Sequence, residues 1–445
     1  MRGLWVAIAL VMSAGSAVAQ DVSCGGAFGG FVTDLRAEAE AAGHDPATVQ
    51  RFFSGVRLDG KVIEADRGQG IFQTPFIEFS RKLISQDRLD RGRKLADDWD
   101  EIFDRIEREH GISRGVLLAF WAFETDYGAF QGNFNTLNAL VTLAHDCRRP
   151  EIFRPQIFAA LELFERGDFD PATTTGAWAG EIGMVQMLPR DILENGVDGD
   201  GDGHVMLKTS PADALMSGAQ MLASLGWRPG EPWLQEVTLP EDLDWATTGL
   251  ETTMTVAEWE RLGVTAREGR LDDARLEASI VLPQGRGGPA FMAYPNFRIY
   301  FEWNQSFVYV MTAAYFATRL EGASVYDAGT PTPGLSGEQM KQLQQRLSER
   351  GYDVGKVDGI LGAGTRAAVR EMQAKLGLPG DGWPTVELLE RLWWGLGGKS
   401  GLSPSGYPFA ERRNLPIVTK GRGVPSNPSR GPVGSVCRTN CIAKR

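Results

Sequence analysis

Glu124 closes a run of eight apolar residues. Residues 114–132 read RGVLLAFWAFETDYGAFQG, and 116–123 are apolar without interruption. Such a run is expected to form a helix buried on most sides, and its terminal acid is carried inward with it. Burial disfavours the charged form of a carboxyl. A carboxyl kept protonated in an apolar site is what general-acid cleavage of a glycosidic bond requires. The commoner fate of a buried glutamate is structural, in a salt bridge or at a helix cap. Asp126 follows two residues later. Positions i and i+2 of a helix point to different sides, so the two are not expected to form an acid–nucleophile pair. No other nearby acid has a better claim, and chemistry at Glu124 would use one carboxylate.

A second cluster holds hard oxygen ligands. Asp198, Asp200 and Asp202 stand at positions 1, 3 and 5 of the loop DGDGDGH, with Gly203 at position 6 and the carbonyl of His204 at position 7. This is half of an EF-hand loop, in which oxygens surround calcium and the glycine permits the sharp turn. The usual glutamate at position 12 is absent; Thr209 stands there. Without a cation the three carboxylates repel one another. Structural calcium is therefore expected, against the plainer alternative of a solvated Asp-Gly turn.

The chain that must position these groups has 445 residues, about two or three domains at ~150 residues each. With 42% apolar and 23% charged residues it has ordinary globular composition. Twenty-two Phe and twelve Trp imply heavy aromatic packing or an aromatic-lined groove. The net charge of −11 argues against a duplex nucleic-acid partner, which needs a basic footprint. Four histidines make a His-rich metal centre unexpected.

Residues 1–19 read as a signal peptide: Arg2, an apolar stretch from Leu4 to Ala14, and the small-x-small site Ala17-Val18-Ala19. No other stretch reaches ~18 apolar residues, so no transmembrane segment is expected in the exported chain. Export also suits the four cysteines, which allow three full pairings in an oxidising compartment. Cys437 and Cys441, close in sequence, are expected to pair, leaving Cys24 with Cys147; four free thiols are the alternative.

Helical spacing of apolar residues appears at 33–42, 91–110 and 155–166, with Gly43 and Gly111 as stops. Strand-like alternation is scarce, and 277–282 is its best example. These features place a mainly α domain over 20–326 and a Pro-containing linker at 327–334. A small compact domain follows at 335–394, then a Gly/Pro/Ser-rich tail at 395–445. From 396 onward the tail holds nine Lys/Arg and one Glu, a net +8.

Several motifs then converge. FETDYG at 123–128, GNFNTLNALVTLAHDCRR at 132–149, WAGEIGMVQMLP at 178–189, VDGDGDGH at 197–204 and YPNFRIYFEWNQS at 294–306 occur in the order found in the lytic murein transglycosylase B family, glycoside hydrolase family 103. The resemblance covers about residues 28–320. It implies a lysozyme-like helical domain with a long groove. It also implies cleavage of the MurNAc–GlcNAc bond of peptidoglycan without water, leaving a 1,6-anhydro-MurNAc end. Glu124 falls on the family's catalytic glutamate, acting first as acid and then as base. The substrate's acetamido group stands in for the second carboxylate of the usual glycosidase pair. No catalytic cofactor is implied.

By the same resemblance, Gln186 lines the groove, and Met187 stands where phenylalanine is commoner, as Met184 does for glutamine. Asn296, Trp303 and Asn304 are expected among the groove residues, Trp303 at a position often held by tyrosine, and Tyr294 is expected either there or in the core. Asp213 matches the family's later acid at the calcium loop.

Residues 335–393 closely resemble the three-helix peptidoglycan-binding module of bacterial wall hydrolases, which would tether the enzyme to its substrate. Within it, Asp358 and Arg366 read as a turn holder and a helix cap. The expected partner is the peptidoglycan glycan strand, met in the periplasm, with weak contact of the basic tail to anionic surfaces. A lysozyme-like muramidase and a non-catalytic wall-binding scaffold are the competing functions.

Overall fold

The computed structural model describes residues 23–68 and 74–394. The expected signal peptide, the basic tail, Cys437 and Cys441 lie outside the described residues. The described chain is mainly helical, with seventeen α-helices and seven short strands.

The apolar run at 116–123 forms the axis of the body. Its helix, Arg114–Thr125, starts at Ser113, whose hydroxyl accepts from Gly115 N, and every residue from Gly115 to Thr125 is buried. The helix Phe307–Leu320, capped by Ser306, packs along it. Phe123 and Phe316 stack between the two, with ring centroids 5.2 Å apart. One large core fills this helical body.

Helix boundaries differ from expectation where the sequence carries no strong breaker. The stretch 91–110 is two helices, Gln86–Asp98 and Asp100–His110, parted at Trp99, which leaves helical geometry at φ −119°, ψ 28°. Gly111 ends the second in the left-handed region (φ 61°), as its position predicted. The helix expected from 155 begins earlier, as Pro150–Arg166. Pro150 takes the first position, and Pro155, close behind, forgoes one backbone bond.

A five-stranded antiparallel sheet interrupts the helices. Its order is Met254–Thr255, Glu277–Val281, Phe291–Ala293, Leu234–Thr238 and Thr265–Ala266. Met292 lies between Ile280 and Gln235 in register. A separate core of Val237, Val256, Trp259, Ile280 and Met292 backs this lobe.

Residues 335–394 carry the helices Gly337–Ser348, Ala363–Lys375 and Val386–Trp394 around a third core of Met340, Leu343, Val369 and Leu389. This unit is seated against the sheet lobe. Asp358 holds its own turn, accepting from Ile360 N. Arg366, read from sequence as a helix cap, instead crosses to the body: its Nη2 donates to Pro283 O at 2.7 Å and Nη1 to Leu282 O at 3.3 Å. Arg370 pairs with Glu251 at 2.8 Å, Asp381 accepts from Arg286 N at 3.1 Å, and Trp383 Nε1 donates to Thr332 O at 2.8 Å. Gly285 (φ 73°) fits this seam because a Cβ there would lie 2.7 Å from the Cβ of Trp383. Residues 327–334 run along the junction, with Thr330 N donating to Gly287 O at 2.7 Å. At the other end Cys24 is bonded to Cys147, 123 residues away.

Candidate active site

Glu124 sits one residue from the end of its helix and is 2% exposed. The backbone cannot continue as helix beyond it: Asp126 and Tyr127 both adopt left-handed geometry, φ 53° and 60°. Oε1 of Glu124 accepts from Trp303 Nε1 at 2.9 Å and from Tyr309 Oη at 2.7 Å. Trp303 is held by stacking on Phe120 at 4.3 Å. Burial first, then the Glu124 charge and its hydrogen bond, push the Tyr309 phenol well above its ordinary range. Tyr309 is therefore a neutral donor throughout the working pH range. It is the site residue that the sequence did not announce. The one available sign was its place two residues into a helix capped by Ser306, which follows the YPNF segment.

Asp126 does not join Glu124. Its carboxylate takes Arg88 Nε on Oδ1 at 3.0 Å and Arg91 Nη1 on Oδ2 at 3.1 Å, which neutralises it and fixes the turn. Thr125 sews the helix end to the neighbouring strip: its hydroxyl donates to Met184 O at 2.7 Å and accepts from Gly128 N at 2.9 Å.

The chain leaving Glu124 becomes a cavity wall. Phe130, Gln131, Phe134, Trp178 and Gln186 line a space of about 610 Å³. Gln186 is held there in left-handed geometry (φ 54°), with Nε2 donating to Gly183 O at 2.9 Å and to Gln131 O at 3.3 Å. Aromatic faces beside a side-chain amide suit a sugar with an N-acetyl group.

The other residues named for the groove do not line this cavity. Met187 is fully buried and bridges back to Ile182 through the backbone. Tyr294 is buried in the sheet lobe, donating to Gln235 Oε1 at 2.9 Å. Asn296 is buried too, and its amide clamps the segment 228–231: Oδ1 accepts from Arg228 N at 2.7 Å, and Nδ2 donates to Arg228 O and Glu231 O, both at 2.9 Å. Asn304 accepts from Ser306 N at 2.9 Å, shaping the turn into the helix that carries Tyr309. Trp303 gives its indole N–H to Glu124, and its face is packed rather than offered to a ligand.

The acidic loop brings Asp198, Asp200 and Asp202 together, with a carboxylate oxygen of each within 4.8 Å of the others. Oxygens on opposite sides of a calcium ion at ~2.3–2.6 Å lie about as far apart, so this donor set fits the ion. Gly203 N, then Gly201 N and Asp202 N, donate to Asp198 and hold its carboxyl below the usual range. The His204 ring meets Asp168 at 2.9 Å, which raises its pKa. Asp213 is not in the cluster. It is buried and straps the loop's two ends, accepting from Gly199 N at 2.8 Å and Met206 N at 2.7 Å.

Comparison with known proteins places these features. The transglycosylase SLT domain family matches residues 27–318, and the peptidoglycan binding domain family matches residues 336–392. Membrane-bound lytic murein transglycosylase B of Escherichia coli K12 is 25% identical over 237 residues, 53% of this chain and 64% of that relative. Crystal structures of SltB3 from Pseudomonas aeruginosa, in complex with NAG-anhNAM-pentapeptide and with NAG-NAM-pentapeptide, are similar at a TM-score of 0.76 and 36% identity. They cover 83% of this chain and 100% of that one. The E. coli lytic transglycosylase Slt35 in complex with calcium shares the fold at a TM-score of 0.57 and 23% identity, over 67% of this chain and 96% of that one.

Proposed function

The chain belongs to the SLT transglycosylase family, and from that premise we propose that it is a lytic murein transglycosylase with Glu124 as its single acid and base. The observation that carries this reading is the Glu124 carboxyl, buried at a helix end, fixed through Oε1 by Trp303 and Tyr309, where the chain turns into an aromatic cavity. Glu124 protonates the glycosidic oxygen as the MurNAc–GlcNAc bond breaks, and the acetamido group of the same muramoyl residue stabilises the cation. The carboxylate then takes the proton of the muramoyl 6-hydroxyl, whose oxygen bonds to C1 and closes the 1,6-anhydro ring. The proton lost in the first step returns in the second, so no water is consumed and no second protein carboxylate is needed. Tyr309 and Trp303 keep the carboxyl aimed through both transfers. Gln186, tied to Gly183 and Gln131, shapes the cavity wall beside the sugar.

The setting is an exported one. The Cys24–Cys147 bond suits an oxidising compartment, and among the described residues no helix is long and apolar enough to cross a membrane. Asp198, Asp200, Asp202 and the His204 carbonyl hold calcium, with Asp213 bracing the loop behind them. Bound there, the ion supplies charge neutralisation and stability, and the proton transfers proceed without it.

Mass spectrometry of products released from purified peptidoglycan tests the reading. Expected are muropeptides one water lighter than their hydrolytic counterparts, absent with Glu124→Gln. Hydrated reducing ends would make the protein a muramidase. Sacculus binding with no product would make it a scaffold and Glu124 a structural carboxylate.

A further inference from the structure

A second cavity, of about 300 Å³, lies in the seam between the C-terminal module and the body. Its walls are mostly apolar, with Phe307, Val308, Met340, Ile360 and Leu361 among them, and among the described residues Arg366 is the one charged residue lining it. Three helices begin at this wall: Phe76–Leu83, Phe307–Leu320 and Gly337–Ser348, each contributing its first residue. Their N-termini present partial positive charge to the same space.

Arg366 adds a full charge. It is 9% exposed, and among the described residues no carboxylate lies within ion-pair distance of it and its Nε has no hydrogen-bond partner. Its guanidinium lies 4.2 Å from the centre of the Phe307 ring. Its Nη atoms meet carbonyl oxygens, and Asp381 and Glu251 attract it only at longer range; a buried charge balanced this incompletely is costly, and three like-signed helix ends lie against the same space. A bound anion removes that cost.

We propose that this cavity binds the C-terminal carboxylate of a peptidoglycan stem peptide. The positive wall takes the carboxylate, the hydroxyls of Thr74 and Ser306 flank it, and the apolar walls take small side chains such as alanine methyls. The peptide part of the assignment rests on peptidoglycan being the substrate. The site is built jointly by module and body, so a strand held there is gripped at the junction of the two.

The test is calorimetric titration of the full chain with a free stem pentapeptide, as its C-terminal acid and as its C-terminal amide. Expected is saturable binding of the acid, at least tenfold weaker binding of the amide, and loss of acid binding in Arg366→Met. Ile360→Trp, which fills the cavity from the module side and leaves Arg366 in place, is expected to abolish binding too while the protein stays folded. Equal affinity for acid and amide would overturn the proposal. So would acid binding that persists in folded Ile360→Trp, or no saturable binding to the wild type. Glu124→Gln is expected to bind the acid as wild type does. A failure of the transglycosylase reading would appear in the released products, and a failure of this site in peptide binding.

Discussion

Replacing Tyr309 with phenylalanine removes one hydroxyl and leaves the packing of the ring on Phe123 intact. The lost bond is a buried O–H···O contact of 2.7 Å to the Glu124 carboxyl. Hydrogen bonds to charged groups contribute roughly 1.5–3 kcal/mol, and about 1.4 kcal/mol is tenfold in rate. With that bond acting in the transition state, kcat should fall about 10- to 150-fold. KM should stay within about twofold, because Tyr309 is fully buried behind Glu124 and does not reach substrate. Trp303→Phe, which removes the 2.9 Å partner bond on the same oxygen, should behave alike. The double variant should lose less than the product of the two, since the bonds share one acceptor. The assay is initial-rate release of soluble muropeptides, with thermal unfolding to verify folding. A folded Tyr309→Phe with kcat within about twofold of wild type would refute the positioning role. A raised KM at unchanged kcat would put the phenol on the substrate instead.

Calcium at about 100 times its Kd should stabilise the protein by roughly 2.7 kcal/mol, and Asp200→Ala should abolish that response; equal shifts of melting temperature in both would remove the metal assignment. Burial raises the phenol pKa of Tyr127, Tyr300 and Tyr309 in the folded state, so above pH ~10 the unfolded chain loses protons that the native state keeps. Stability should then fall by about 1.4 kcal/mol per pH unit for each tyrosine, and a flat urea midpoint from pH 8 to 11 would contradict it. Gly285→Ala forces a Cβ into Trp383 at a left-handed φ and should weaken module docking by about 2–4 kcal/mol, seen as faster proteolysis between residues 327 and 334; wild-type resistance would show that the seam tolerates it. The Cys24–Cys147 bond closes a 123-residue loop, for which chain entropy gives about 5 kcal/mol, so Cys147→Ser should lower the denaturant midpoint markedly, and an unchanged midpoint would show that the N-terminal helices hold without it.

What the sequence disclosed follows the strength of local signals. Gly111 could be read as a helix stop because its left-handed geometry favours glycine, whereas the break at Trp99 falls on a residue type that carries no stop signal. The sheet lobe was nearly invisible because its strands run two to five residues, too short to display a period of two, and Phe291–Ala293 is buried on both faces. Glu124 stood out as an acid at the end of an apolar run. Tyr309 did not, since its partner is 185 residues away and a buried aromatic on a helix ordinarily means core. The family resemblance points Asn296 to a groove and leaves Tyr294 there or in the core. The structure spends the same donors and acceptors on a loop and a strand neighbour. Arg366 looked like a cap because its distant partners, the carbonyls of Leu282 and Pro283, belong to another unit.

The docked module bears on how the protein lets go of the wall. On a flexible tether each unit releases, searches and regrips alone, and the gain is local concentration. Fixed by Arg366, Arg370 and Asp381, the module shares one frame with Glu124. A strand must then match both holds in angle and spacing at once. One that matches is released only when both holds fail together, so docking acts on residence time more than on encounter. A strand running at another angle gets a single hold and leaves early. Where both units hold the glycan, the seam would make its local direction a criterion for which strands are kept.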